Sequence, residues 1–310
     1  MKKIYLYLLL PVMLILFAFN NTYGQSAEEY FNTGHLQEKA KEYNDAIICY
    51  TKAIGKKADY DAAYYRRGIV KSKLGDFNEA ISDYNMSIEL TLIFNNKKNK
   101  DEQIEDSTDL TELSLVNDIT RMEMLILTYQ YYSRGWTKFR LKDYEGAIAD
   151  YDKAIDATPD YAEAYYERGF AKNHIKDYFG AYNDFDKVIK LDSDDCDAYN
   201  GRAFSKIQLF NYEGALLDFN KSIELNPEYD ISYYERAAVK INFLDFQGAI
   251  DDYSKAIELN PKYGDAYFGR GLVKELLEDL VGACEDYHKA VEIGGEDIEI
   301  VQSEIDKYCK

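Results

Sequence analysis

Residues 165–185 read YYERGFAKNHIKDYFGAYNDF. Within them Tyr165-x-x-Arg168-Gly169 is followed by Ala181, and then by Phe185. The same arrangement returns at a step of 34 residues in Tyr131-x-x-Arg134-Gly135, Tyr199-x-x-Arg202-Ala203 and Tyr233-x-x-Arg236-Ala237. It returns again at Tyr267 and Phe268 before Arg270-Gly271. Upstream, Tyr64-x-x-Arg67-Gly68 repeats it, and Tyr30-x-x-Thr33-Gly34 gives it without the arginine. Seven copies share one register, and fixed-period self-similarity of this kind marks a repeat architecture.

Further positions keep the register. Ala46 with Tyr50, Ala80 with Tyr84, Ala147 with Tyr151, Ala215 with Phe219, Ala249 with Tyr253 and Ala283 with Tyr287 match Ala181 with Phe185. A third position holds Ala53, Ala154, Ala256 and Ala290, with Ser87, Val188 and Ser222 in the other copies, and Pro159, Pro227 and Pro261 end three units. Small residues at two facing positions let paired helices approach closely, while aromatics fill the gaps beside them. Asp76, Asp143, Asp177, Asn211 and Asp245 fall between the two halves of a unit. An Asp or Asn there is a good N-cap, because its side-chain oxygen accepts an orphan backbone N–H of the second helix.

This unit resembles the tetratricopeptide (TPR) repeat, a helix, a turn and a second helix. The resemblance runs from about Ala27 to Gly295 with one interruption. It implies an all-α fold, a right-handed TPR α-solenoid of about seven helix-turn-helix repeats, each stabilised by its neighbours in the stack. The expected organisation is two units over 27–94, an insertion over 95–127, five units over 128–295 and a C-terminal capping helix over 296–310. In the insertion a degenerate repeat competes with a polar loop, Asn95 to Asp101, leading into a long helix from about Leu110. The second reading is preferred, because Leu113, Val116, Met124 and Leu127 are helically spaced while the loop has nothing to bury. In the cap, Ile298, Val301, Ile305 and Tyr308 form one apolar stripe.

Composition agrees with a packed helical protein. The chain has 310 residues, 46% of them hydrophobic, and only 4 Pro against 30 Tyr. Its 37 Lys and Arg face 56 Asp and Glu, a net charge of −19, and no stretch forms the basic stripe that nucleic acid requires. At the start, Lys2 and Lys3 precede an apolar run from Ile4 to Phe19, with Thr22 and Gly24 placed for a cut before Gln25. Residues 1–24 are therefore expected to be a secretory signal peptide, with an uncleaved N-terminal anchor as the alternative; no stable membrane span is expected after cleavage. The expected address is periplasmic or secreted.

Recurring charges admit two readings. Arg67, Arg134, Arg168, Arg202, Arg236 and Arg270 are each followed four residues later by Lys71, Lys138, Lys172, Lys206, Lys240 or Lys274. Each unit also supplies Asp83, Asp150, Asp184, Asp218, Asp252 or Asp286 on its second half. A basic ligand ladder is conceivable; ion pairs between neighbouring helices are the simpler account.

The resemblance further implies that one face of each first helix lines a concave, ligand-binding groove. Here that face carries Phe31, Tyr65, Tyr132, Trp136, Phe139, Tyr166, Phe170, Phe204, Tyr234 and Phe268. Such rings suit a docked protein or peptide, the partner expected here, or else pack against adjacent helices. Glu28, Glu163, Asp197 and Asp265 near the groove would suit a basic peptide. The carboxylate clamp of co-chaperone TPR domains is missing, since Phe31 and His35 occupy its Lys and Asn positions, and Arg66 or Ser133 its later Asn position.

A non-catalytic binding scaffold is the resulting expectation, and a structural subunit of an envelope or secretion assembly is the alternative. His35, His174 and His288 stand apart from metal-ligand spacing, and no nucleophile motif or phosphate loop occurs, so neither cofactor nor metal is expected. Cys284 and Cys309 fall on adjoining helices and are the candidate disulfide, with four buried or free thiols as the other reading and no pairing foreseen for Cys49 with Cys196.

Overall fold

The computed structural model describes residues 25–101, 110–294 and 298–309. The leader read from residues 1–24 lies outside them. Among the described residues there are fifteen helices and no strand, in two compact units that meet between Thr158 and Pro159. The first unit holds α1 (Ala27–Lys39), α2 (Tyr43–Lys56), α3 (Asp61–Leu74), α4 (Phe77–Asp101), α5 (Leu110–Arg140) and α6 (Tyr144–Ala157). The second holds α7 (Ala162–His174), α8 (Tyr178–Leu191), α9 (Cys196–Gln208), α10 (Tyr212–Leu225), α11 (Asp230–Asn242), α12 (Phe246–Leu259), α13 (Gly264–Leu276), α14 (Leu280–Ile293) and α15 (Ile298–Tyr308). Within each unit, helices pack on their neighbours in sequence, as helix pairs of a TPR solenoid do.

Boundaries follow from local chemistry. Ser26 opens α1 with a capping box, its hydroxyl accepting from Glu29 N and its own N–H donating to the Glu29 carboxylate. Asp143, Asp177, Asn211, Asp245 and Asp279 cap the second helices by accepting from the N–H of Gly146, Gly180, Gly214, Gly248 and Gly282 at 2.9–3.0 Å. The turn before each cap needs one left-handed residue. Gly75 takes that place at φ 90°, while Lys41, Lys142, Lys176, Phe210, Leu244 and Glu278 hold it at φ 59–65° despite their side chains.

The alanines and rings of the register are the core. Ala46, Ala147, Ala181, Ala215, Ala249 and Ala283 are fully buried, and Tyr50, Tyr84, Tyr151, Phe185, Phe219, Tyr253 and Tyr287 are buried beside them. A methyl at Gly169 would stand 2.9 Å from Phe185, so the ring lies directly on the first helix's backbone. Each small core borrows from the next first helix: Val70 completes the cluster of Ala46 and Tyr50, and Val239 that of Ala203, Ala215 and Phe219. This is the nearest-neighbour stability of a repeat array.

The recurring charges are structural. Arg67, Arg134, Arg168, Arg202, Arg236 and Arg270 make forked bonds to Asp83, Asp150, Asp184, Asp218, Asp252 and Asp286, with Nε to Oδ2 at 2.8–2.9 Å. The matching lysines reach the same carboxylates at 2.6–2.9 Å. The free arm of the arginine reaches back to the preceding second helix, as in Arg202 to Asp186 at 2.7 Å and Arg236 to Asn220 at 2.6 Å. One arginine thereby ties three helices.

One expectation is corrected. Asn95–Asp101 is not a loop, because α4 continues through it to Asp101. Neither Gly nor Pro occurs between Ala80 and Gly135, and unbranched Lys97, Lys98 and Lys100 favour helix, so nothing stops α4 where apolar periodicity ends. Helix α5 then runs from Leu110 to Arg140, with Leu127 buried and Met124 45% exposed; 102–109 lie outside the described residues. At the far end α15 packs on α14: Val301 is buried, and Ile305 joins the cluster of Ala283, Tyr287 and Ala290, while Ile298 stays 43% exposed. Cys284 and Cys309 form a disulfide with a Cα–Cα distance of 5.6 Å, whereas Cys49 and Cys196 are free thiols.

Three outcomes are expected. In a double-mutant cycle on Arg202→Ala and Asp218→Ala, measured by denaturant unfolding, Asp218→Ala costs about 3 kcal/mol and the coupling is about 1–3 kcal/mol, because removing one partner leaves buried charge uncompensated. Leu244→Gly, which relieves a left-handed bulky residue, raises stability by about 0.5–1 kcal/mol, and Gly75→Leu lowers it. Reducing the 25-residue loop closed by Cys284–Cys309 lowers stability by about 3 kcal/mol, with intact mass confirming the reduction.

Candidate functional site

The residue directly after the first tyrosine of each unit decides where the first helices leave room. At that position Phe31, Tyr65, Tyr132, Tyr166, Tyr234 and Phe268 each lie 5.6–5.9 Å, centroid to centroid, from the buried ring of their own second helix. Phe31 and Tyr234 also stack on the tyrosine that precedes the next first helix, Tyr60 at 5.1 Å and Tyr263 at 4.8 Å. These aromatics therefore close the face by packing against adjacent helices.

The unit of α9 and α10 breaks the pattern with Asn200. No ring fills the position, and Tyr229, the counterpart of Tyr60 and Tyr263, has none to stack on there. Burial, and after it the nearby Asp197 carboxylate, push its pKa up. Gly201 adds to the opening: a methyl there would stand 2.6 Å from Phe185, so the Phe185 ring leans against bare backbone.

The result is a cavity of about 350 Å³ inside the second unit. Tyr166, Phe170, Asn173 and His174 of α7 form one wall, Asp197, Asn200, Gly201 and Phe204 of α9 the floor, and Tyr229, Ile231 and Glu235 the other wall. Phe170 is fixed by Tyr166 at 4.9 Å and Phe185 at 5.4 Å, both edge-on, while Phe204 is 40% exposed. Ser205 donates to Asn173 and so pins one side of the rim. Burial raises the pKa of Tyr166 and Glu167 on α7 and of Glu235 on α11.

The eight groove residues read from the sequence thus separate. Tyr166, Phe170 and Phe204 share this cavity; Tyr132 and Trp136 line a smaller one of about 290 Å³ in the first unit, with Arg140 over the Trp136 ring. Phe139 packs edge-on against Tyr144, and Tyr234 and Phe268 against their own second helices. Asn173, Asn200, Tyr229, Ile231 and Glu235 were not singled out by sequence reasoning. The departure of Asn200 from an otherwise aromatic column was the available signal.

Among the described residues no group of three His, Cys, Asp or Glu could hold a metal ion, and no helix is long and apolar enough to cross a membrane. His35 lies 4.0 Å from Glu38, and His288 bonds the Cys284 carbonyl.

Comparison with known proteins supplies the family. A model described as TPR repeat matches residues 135–173 and 245–278, and one described as Tetratricopeptide repeat matches 61–92 and 197–229. Among solved structures, a tetratricopeptide repeat protein from Parabacteroides merdae has a TM-score of 0.63 at 21% identity, over 93% of this chain and 100% of its own. The C-terminal part of a TPR repeat-containing protein from Cytophaga hutchinsonii has 0.62 at 18% identity, over 89% and 98%. MamA from Desulfovibrio magneticus has 0.52 at 17% identity, over 67% and 98%. Identities at this level are a likeness of fold. No curated protein matches the sequence.

Proposed function

Since the chain is a tetratricopeptide-repeat protein, we propose that it is a non-catalytic scaffold that binds a partner protein by seating an extended segment on the first-helix face of its second unit. The observation that carries this is the cavity over Asn200, the one place in that unit where the aromatic column is interrupted and concave, partly apolar surface is left open. Rigid rings flanking the opening supply contact area at low entropic cost, as interface anchors do. A TPR repeat implies a protein partner.

Export belongs to the same proposal. The leader-like residues 1–24 and the Cys284–Cys309 disulfide both suit an oxidising compartment. A second reading, a structural subunit of an envelope or secretion assembly, draws support from the apolar edge of the second unit. There Phe210, Leu244, Leu276 and Val281 are 61–80% exposed.

Asn200→Tyr restores the ring found at Tyr166 and Tyr234, and so closes the cavity without disturbing the register. Peptides selected from a random display library on the wild-type chain are expected to lose binding to this variant, by fluorescence polarisation, while its melting temperature holds or rises. Unchanged affinities would move the binding surface elsewhere, to the apolar edge or the helical extension.

A further inference from the structure

We propose that the cavity over Asn200 is a subsite for one cationic side chain, an arginine or lysine of the bound segment; this rests on the reading of the cavity as the binding site. Its lining holds two carboxylates, Asp197 and Glu235, beside the His174 imidazole, and neither Lys nor Arg. In the recurring ion pairs, by contrast, each buried aspartate has two cations within 2.9 Å. Glu235 has no cation or donor among the described residues, and burial alone holds its carboxyl above the ordinary carboxylate value. A group so placed gains most from a counter-charge that arrives already partly dehydrated.

The rings point the same way. Inside its own repeats the protein handles arginine by one recurrent device, a guanidinium over a tyrosine face and forked to a carboxylate. Arg202 lies 5.4 Å from the Tyr199 centroid and bonds Asp218, and Arg236 lies 5.5 Å from Tyr233 and bonds Asp252. The cavity offers the same two elements, aromatic rings from Tyr166, Phe170, Phe204 and Tyr229 and carboxylates from Asp197 and Glu235, without the cation. Cation–π attraction and charge pairing add there, while an anionic side chain meets repulsion. At about 350 Å³ the cavity holds one long side chain and not a helix. The chain's charge of −19 favours the approach of a basic segment.

The test is a titration of the full chain, labelled at isoleucine δ1 methyls, with three small probes of similar length: n-butylguanidinium, neutral pentanamide and anionic pentanoate. The Ile231 methyl reports binding. Butylguanidinium is expected to bind at least about tenfold more tightly than pentanamide, and pentanoate not measurably. Glu235→Gln should reduce that preference to about twofold, with Asp197→Asn as the second variant should the first lose its fold, and Asn200→Tyr should abolish binding of every probe. Equal affinity for butylguanidinium and pentanamide, lost in Asn200→Tyr, would overturn the cationic subsite and leave the cavity as a binding site. Absence of any Ile231 response to all three probes would overturn both.

Discussion

Six aspartates, each no more than 5% exposed, lie between the helices of this protein, and burying a carboxylate is costly unless cations meet it. The forked arginine and the lysine four residues later do so, both from the first helix of the same unit. Because the arginine's remaining arm reaches the preceding second helix, the pairing that fixes one helix hairpin also sets its distance to the one before. Register, close approach and stacking are consequences. The alanines and glycines can be small because the helices are already held together, and the rings can be large because the space beside the small residues is constant.

The first repeat, α1 and α2, shows what happens when the set is absent. Thr33, Gln37 and Cys49 stand where the arginine, lysine and aspartate would, so all three have been replaced together and no charge is orphaned. Glu38 takes over: it is 8% exposed, accepts from the Tyr50 hydroxyl at 3.0 Å and pairs with Lys73 and Arg66 from the next first helix. Glu275, at the equivalent position of the last unit, accepts from Tyr287 at 2.7 Å. The two terminal units thus share a device that binds the buried phenol to the first helix.

Much of this was legible in the sequence because a repeat states its own rule several times over. Caps such as Asp143, the fully buried alanines and the Arg–Asp pairing can be read by comparing seven copies, and the helix pairs follow. Where comparison had nothing to work with, the reading failed. Asn95–Asp101 belongs to no repeat, so its polarity alone suggests a loop, although no breaker stands between Ala80 and Gly135 and α4 runs through it. The groove was legible as an aromatic face but not as a site. Most of its rings are occupied with the helix beneath them, which follows from packing and not from spacing. The cavity came from the single position where the rule lapses, Asn200, and its walls include Tyr229 and Glu235, contributed by the following unit.

A stack held by neighbours has two weak places, its ends, where a unit is supported on one side only and opens first. The bond between Cys284 and Cys309 changes that for the second unit. It sews the terminal helix α15 to α14, so that α15 cannot peel away alone and admit water to Ala283, Tyr287 and Ala290. Fraying from this side must then carry the last hairpin with it as one cooperative block. Such a rivet makes the exposure of this core to a protease a rarer event than the fraying of a single helix would be.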